Sequence, residues 1–124
     1  MIHWTKGEDI QLSENFSTSE FECKCTETGC KQQKIEQELI KALQSLREHL
    51  GTSVKVTSGY RCESHNKKVG GVRNSSHIRG LAADLVVSDQ EKLRELMENL
   101  YKCYSIGRYD DFTHIDTRKE FRRW

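Results

Sequence analysis

A chain of 124 residues, 31% of them charged and 35% hydrophobic, is long enough for one domain with a modest core but not for two. The formal net charge of +1 argues against nucleic acid as the main partner, and no apolar run is long enough to span a membrane. The first residues, 1–8, lack the apolar core of a signal peptide, so we expect synthesis in the cytoplasm.

The hydrophobic pattern predicts two main helices. Apolar residues recur at three- and four-residue steps over 34–50, and Gly51 suits the end of that helix. A capping box at 88–91 precedes the second helix. Shorter helical turns are predicted after another capping box at 17–20 and over 62–68.

Four segments have the apolar character or the alternation of β-strands, namely 54–58, 81–87, 104–108 and 112–117. Residues 1–16 have no such pattern and are predicted to be irregular. The elements predict a small α+β fold, in which two main helices pack on an antiparallel or mixed sheet. We expect residues 1–124 to form a single domain.

One stretch of the chain carries a histidine and an aspartate seven positions apart, His77 and Asp84. This spacing fits neither one turn of helix nor one face of a strand, so a loop must return His77 over the strand that carries Asp84. Gly80 is where such a reversal is least costly, because glycine has no Cβ. A carboxylate inside an apolar strand is costly unless ionic partners surround it. The pair therefore predicts two ligands of a zinc site.

His114 is the predicted third ligand, since it lies on the last strand and shares one strand face with Phe112 and Asp116. Two histidines and one carboxylate leave a fourth position open for water, which is the arrangement of a catalytic zinc site. Zinc bound in this way lowers the pKa of its water towards neutrality and can polarise a carbonyl. The sequence therefore predicts one catalytic Zn²⁺ ion.

A zinc hydrolase also needs a carboxylate that moves a proton and a cation that stabilises developing charge. Two aspartates are candidates for the base: Asp111, at the turn before His114, and Asp116, on the same strand face as His114. Asp116 could instead hydrogen-bond to one of the metal ligands and orient it. Arg61 is the candidate cation, because its guanidinium suits a peptide carbonyl or a terminal carboxylate.

The chain has five cysteines, which without a secretion signal are interpreted first as thiols, second as metal ligands and third as disulfides. Cys23, Cys25 and Cys30 could hold a second, structural metal with a fourth ligand from elsewhere. Their spacing is not the C-x-x-C of common zinc ribbons, so a loop of plain thiols is the favoured interpretation. Cys62 could fill a small buried space or, under extracellular conditions, pair with one of the N-terminal thiols Cys23, Cys25 and Cys30.

The motif Ser75-x-His77-x-x-Gly80-x-Ala82-x-Asp84 resembles the S-x-H-x-x-G-x-A-x-D signature of the zinc D-alanyl-D-alanine carboxypeptidases and their relatives, peptidase family M15. That group includes vancomycin-resistance dipeptidases and several phage endolysins. Upstream, Ser58-Gly59-Tyr60-Arg61 resembles the family's S-G-[YF]-R segment, and Phe112-Thr113-His114-Ile115-Asp116 resembles the strand with the last zinc ligand. The matches follow the family's order along nearly the whole chain.

The resemblance implies zinc at His77, Asp84 and His114. It also implies hydrolysis of peptidoglycan peptides at bonds that involve D-amino acids, by a carboxypeptidase or an endopeptidase. Such a protein is expected to act on the cell wall, as a monomer. The absence of a signal sequence suits a phage or prophage lysis enzyme, and it also suits a chain from which a leader was removed.

The resemblance further implies roles for residues around the metal. Arg61 would bind the substrate or the transition state, and Ser75 would lie near the metal on the substrate side. Several relatives have Glu or Asp three residues before the last ligand, where this chain has Asp111, whereas small members often carry H-x-D, which keeps Asp116 as the alternative base. Hedgehog-type signalling domains also resemble this fold and keep a zinc site, so a non-catalytic zinc-containing binding module is the alternative function.

Overall fold

Six strands and three helices make up the fold of this computed structural model, which describes residues 1–102, 104–118 and 122–124. The cysteine at position 103 lies outside the described residues. In chain order the elements are β1 (Ile2–Thr5), a 3₁₀ turn (Thr18–Glu20), β2 (Gln32–Ile35), α1 (Gln37–Leu50), β3 (Lys55–Ser58), α2 (Glu63–Lys68), β4 (Ala82–Val86), α3 (Gln90–Leu100), β5 (Ser105–Arg108) and β6 (Thr113–Asp116).

The main sheet has four antiparallel strands in the order β3-β4-β6-β5. The register of the two central strands pairs Asp84 directly with His114. Alternate residues of a strand face opposite sides of a sheet. Ala83, Leu85 and Ile115 belong to the hydrophobic core. Asp84 and His114 therefore lie on the side of the sheet away from that core.

Helices α1 and α3 cover the core side of the sheet. Leu39, Leu43 and Leu46 of α1 are fully buried, as are Leu93 and Met97 of α3. Burial of each such side chain stabilises the fold by about 1.5–3 kcal/mol. This layering confirms the predicted α+β class. The pairings between β1 to β6 are all antiparallel, and one isolated parallel bridge joins Ile106 of β5 to Arg123 at the edge of the main sheet.

Helix α1 begins at Gln37, later than the predicted start at residue 34. Ile35 continues the apolar spacing of the helix, but it pairs with Ile2 in a separate two-stranded sheet of β1 and β2. The prediction that residues 1–16 are irregular is therefore wrong for β1. The predicted end is confirmed, since Gly51 caps α1 in the left-handed conformation with φ 68°.

The segment 122–124 runs beside β5 and extends the edge of the sheet. The Ile106 N–H donates to Arg122 O at 3.0 Å, and the Trp124 N–H donates to Ile106 O at 3.0 Å. The ring of Trp124 then lies 5.0 Å from the His114 ring, centroid to centroid. The end of the described chain therefore contributes to the polar side of the sheet.

Helix length in the described ranges is modest, with α1 the longest at 14 residues. None of the described helices combines the length and the apolar sequence of a membrane span.

Candidate metal centre

The loop after α2 returns His77 over the start of β4, as the spacing predicted. It is a series of tight turns, in which the Gly80 N–H donates to His77 O at 3.2 Å and the Leu81 N–H donates to Ser76 O at 2.9 Å. Gly80 has φ +73°, and a Cβ there would lie 3.0 Å from Lys34 O. Only glycine tolerates both the positive φ and the close approach of Lys34 without strain, so Gly80 allows the chain to reverse direction here.

His77, Asp84 and His114 meet on the polar side of the sheet, and we call them the histidine cluster. Their ligand atoms all lie within 4.8 Å of one another, and all three residues are buried. Asp84 Oδ1 lies 3.2 Å from His77 Nε2 and 3.0 Å from His114 Nδ1. Two imidazole nitrogens therefore converge on one carboxylate oxygen.

The far side of each imidazole is held by an acceptor. His77 Nδ1 lies 2.7 Å from Gly59 O, and His114 Nε2 lies 2.6 Å from Asp116 Oδ2. A carbonyl or carboxylate oxygen can only accept, so both of these nitrogens donate. His77 Nε2 and His114 Nδ1 are thereby the nitrogens directed at Asp84, which is how partners behind a metal-binding histidine fix its tautomer.

Burial and hydrogen bonding act in opposite directions on the acidic groups. Burial alone would raise the pKa of Asp84, but hydrogen bonds from His114 and His77 hold that pKa well below its usual range. Burial would also raise the pKa of Asp116, but hydrogen bonds from His114 and Arg118 lower it to about 2. Both carboxylates are therefore ionised at neutral pH.

The same competition affects His114. Burial would lower the pKa of its imidazole, but the hydrogen bonds to Asp116 and Asp84 raise it. A cation at His114 is thus favoured by the two carboxylates that flank it. The site as a whole is built to stabilise positive charge between acidic groups.

Arg61 contacts the second oxygen of the Asp84 carboxylate, with Nη2 3.2 Å from Oδ2. Its Nε donates to Ser58 Oγ at 3.0 Å, and its Nη1 donates to Asn66 Oδ1 at 3.1 Å. Asn66 is itself buried and donates from Nδ2 to Val72 O at 2.9 Å. The guanidinium is thereby fixed beside the cluster, and Asp84 is held from both sides.

A cavity of about 610 Å³ opens onto the histidine cluster. Arginines dominate the charge of its described lining, whereas Asp84 is the one described carboxylate that lines it. The lining arginines are Arg61, Arg118, Arg122 and Arg123. Tyr109, Phe112 and Trp124 supply aromatic surface. The cavity is therefore large enough for a short peptide and biased towards negatively charged groups.

The remaining predicted site residues have different environments. Ser75 lines the cavity and its Oγ accepts the His77 N–H at 3.2 Å. Asp116 is fully buried behind His114. Asp111 is exposed in the turn between β5 and β6, next to the cavity-lining Phe112, and does not itself belong to the described lining.

The donor set fits zinc, because two imidazole nitrogens and one carboxylate oxygen are the ligands of catalytic zinc sites. Sequence reasoning did not identify Asn66 or the position of Trp124. A polar residue inside an otherwise charged helical turn gives no signal of burial. The contact of Trp124 with the site depends on the pairing of segment 122–124 with β5.

Two comparisons bear on this arrangement. The family described as Peptidase M15 matches residues 14–116, a range that includes all three members of the histidine cluster. No curated protein matches the chain at a significant level.

Proposed function

The chain belongs to the M15 peptidase family, and we propose that it hydrolyses the stem peptides of peptidoglycan, as a D-alanyl-D-alanine carboxypeptidase or an endopeptidase. The observation that carries the proposal is the convergence of His77, Asp84 and His114 at the base of a peptide-sized cavity. The M15 family is zinc-dependent, and these three residues are the ones that would hold the ion. Zinc there would supply an activated water and a Lewis acid for the peptide carbonyl.

Of the two candidate bases, the surroundings of Asp116 favour a positioning role. Its Oδ2 accepts from His114, and both of its oxygens accept from Arg118. A carboxylate with a pKa of about 2 is also a weak proton acceptor at neutral pH. Asp116 therefore orients His114 and keeps its Nδ1 directed at the cluster.

Asp111 is accordingly the proposed general base. It lies in an exposed turn next to Phe112, which lines the cavity. A change of rotamer would therefore be enough to turn the Asp111 carboxylate towards the cavity. Its carboxylate would accept a proton from the attacking water and return it to the leaving amine. Catalytic hydrogen bonds often tighten only in the substrate complex, so the exposed position is compatible with this role.

The charge of the cavity supports a substrate that carries carboxylates. Four arginines line the cavity among the described residues, against the single carboxylate of Asp84. Arg61 has five N–H donors, of which three are used by Ser58, Asn66 and Asp84. Its remaining donors could bind a substrate carbonyl or terminal carboxylate. Peptidoglycan stem peptides, which carry several carboxylates, fit such a lining.

Digestion of purified muropeptides, followed by mass spectrometry, tests the proposal, because the mass lost identifies the bond. Loss of a single D-alanine would indicate a carboxypeptidase, and separation of two stem peptides would indicate an endopeptidase. His114→Ala and chelator-treated protein are the negative controls. Equal cleavage by metal-free His114→Ala protein would overturn the proposal. Muropeptide binding without cleavage by the zinc-loaded protein would favour a hedgehog-like binding module instead.

The setting of the activity is also a proposal. We propose a monomer that acts on the cell wall, with a phage-encoded enzyme and a bacterial enzyme as the two alternative origins. Light scattering after size-exclusion chromatography would measure the oligomeric state. An endopeptidase should lower the turbidity of permeabilised bacteria, because it separates cross-linked stem peptides, whereas a carboxypeptidase and His77→Ala protein should leave the turbidity unchanged.

A further inference from the structure

Four cysteine sulfurs meet between the loop after Phe21 and the start of α2. The residues are Cys23, Cys25, Cys30 and Cys62, and we call them the cysteine cluster. Their Sγ atoms all lie within 4.8 Å of one another, and all four are free thiols. The sequence allowed a metal at the first three with a fourth ligand from elsewhere, although plain thiols were the favoured interpretation. The fold supplies that fourth ligand as Cys62.

Two of the distances between the sulfurs match those of a tetrahedral metal site, and the rest stay within 4.8 Å. Cys62 Sγ lies 3.7 Å from Cys23 Sγ and 3.9 Å from Cys25 Sγ. Zinc–sulfur bonds of about 2.3 Å in a tetrahedron place the sulfurs about 3.8 Å apart. A disulfide would instead need about 2.05 Å between two of them. The spacing therefore leaves room for an ion at the centre.

Every sulfur of the cysteine cluster also accepts a hydrogen bond from a nitrogen donor. The pairs are Cys62 N to Cys23 Sγ at 3.4 Å, Lys6 Nζ to Cys25 Sγ at 3.7 Å, Gln33 Nε2 to Cys30 Sγ at 3.4 Å and His65 N to Cys62 Sγ at 3.4 Å. A neutral thiol is a weak acceptor, whereas a thiolate accepts such bonds strongly. The donors are therefore arranged as they would be around metal-bound thiolates.

Gln33 shows that this environment is built into the fold. Its side chain is buried, with 1% of its surface exposed. Its Oε1 accepts the Cys23 N–H at 2.7 Å, while its Nε2 points at Cys30 Sγ. A buried amide stabilises a structure only when both of its ends are satisfied. Here one end fixes a cysteine backbone and the other faces a cysteine sulfur.

We propose that the cysteine cluster binds a second zinc ion as a structural tetrathiolate site. Four sulfurs complete the coordination of zinc and leave no position for water, which is the arrangement of structural sites. Four thiolates and Zn²⁺ carry a net charge of −2. The Lys6 ammonium, which also donates to Cys25 O at 2.9 Å, offsets part of that charge.

The proposed site would also support the histidine cluster. It ties the cysteine loop to Cys62, which directly follows the segment 59–61. Within that segment Gly59 O accepts from His77 Nδ1, and the Arg61 N–H donates to His77 O at 3.2 Å. A metal at Cys62 therefore restrains the backbone that positions His77.

Metal content and X-ray absorption of the zinc-loaded protein, purified under reducing conditions, test the proposal. We expect two zinc ions per chain in the wild type, with sulfur neighbours at about 2.3 Å in the averaged spectrum. The double variant His77→Ala/His114→Ala should retain one zinc ion with sulfur ligands only. Cys25→Ser/Cys30→Ser should lose the sulfur-bound ion, whereas Cys103→Ser, the matched thiol control, should keep both.

The wild-type measurement decides the matter even if a cysteine variant does not fold. A spectrum without sulfur neighbours would overturn the proposal, as would a single zinc ion that the double histidine variant loses completely. These readouts are independent of peptidase activity. Failure of the proposed function would therefore leave the cysteine site standing, and the converse also holds.

Discussion

The two clusters of metal-type ligands are linked by the segment 59–61, which contacts His77 and leads directly into Cys62, and they differ in what surrounds them. The histidine cluster offers three ligands and opens onto a cavity of about 610 Å³. The cysteine cluster offers four sulfurs, each with its own nitrogen donor. Zinc prefers four ligands in both kinds of site. The difference of one ligand separates a site with room for water from a site that is already complete.

The two clusters also differ in how the chain assembles them. Asp84 and His114 are direct partners on adjacent strands, and only the loop of His77 is added. The cysteine cluster joins a loop to a residue 39 positions away, Cys62. The strand pairing of the sheet fixes the histidine cluster. The cysteine cluster instead depends on contacts between its own sulfurs to hold the cysteine loop against Cys62. We therefore expect variants of the two clusters to affect different properties.

The largest effect is expected when the histidine cluster is broken. His77→Ala should reduce kcat/KM on muropeptides by about 10³-fold or more, because a catalytic metal contributes several kcal/mol and each 1.36 kcal/mol is tenfold in rate. Metal analysis should show the loss of one zinc ion. His3→Ala removes an exposed histidine outside the cluster and should have no effect. Equal activity of the two variants would contradict the assignment.

The proposed base gives the next largest effect. Asp111→Asn should lower kcat by about 10²- to 10⁴-fold, the range for general acid–base groups. Zinc content should stay unchanged, because Asp111 is not a ligand in the proposed site. Asp110→Asn is the matched control, since Asp110 is the neighbouring exposed aspartate in the same turn. If Asp110→Asn lost as much activity as Asp111→Asn, the turn rather than the carboxylate would be responsible.

Much of the histidine cluster could be predicted from the sequence, because the pattern is local. The seven-residue spacing of His77 and Asp84 predicts that a loop returns His77 over β4. The period of two in β6 predicts the strand face on which His114 lies. The shared face of His114 and Asp116 also follows from that period. The period does not show which of the two would bind a metal and which would orient its neighbour. That distinction depends on the hydrogen bonds that Asp116 accepts from His114 and Arg118.

Elements that depend on distant pairing could not be predicted in this way. Ile35 fits the spacing of helix α1, and only its pairing with Ile2 assigns it to a strand. Cys62 meets Cys23 from 39 positions away, and Asn66 hydrogen-bonds to Val72 across the loop that follows α2. No local periodicity of the sequence predicts either contact. Local patterns therefore gave the fold class, while tertiary contacts determine helix boundaries and the fourth cysteine.

A smaller effect is expected from the carboxylate behind His114. Asp116→Asn keeps the shape of the side chain but removes the charge that holds Nε2 of the imidazole. Zinc affinity or activity should fall by about 10- to 100-fold, as is typical of residues that orient metal ligands. Competition with a chelator would measure the affinity. A loss equal to that of Asp111→Asn, with zinc fully retained, would instead identify Asp116 as the base.

The smallest effect is expected at Gly59, which lies between the two clusters. A Cβ at this position would approach Phe21 Cα at 2.7 Å and Phe21 O at 2.8 Å, so two backbones must separate in Gly59→Ala. Overpacking of this kind costs about 1–3 kcal/mol, which denaturant unfolding can measure. Gly29→Ala is the matched control in the cysteine loop, because a Cβ there meets nothing within 4 Å.

Because Gly59 O holds His77 and the Tyr60 N–H donates to Phe21 O at 2.8 Å, Gly59→Ala should weaken zinc retention at both clusters together. Loss of zinc from one cluster alone would show that the segment does not couple them.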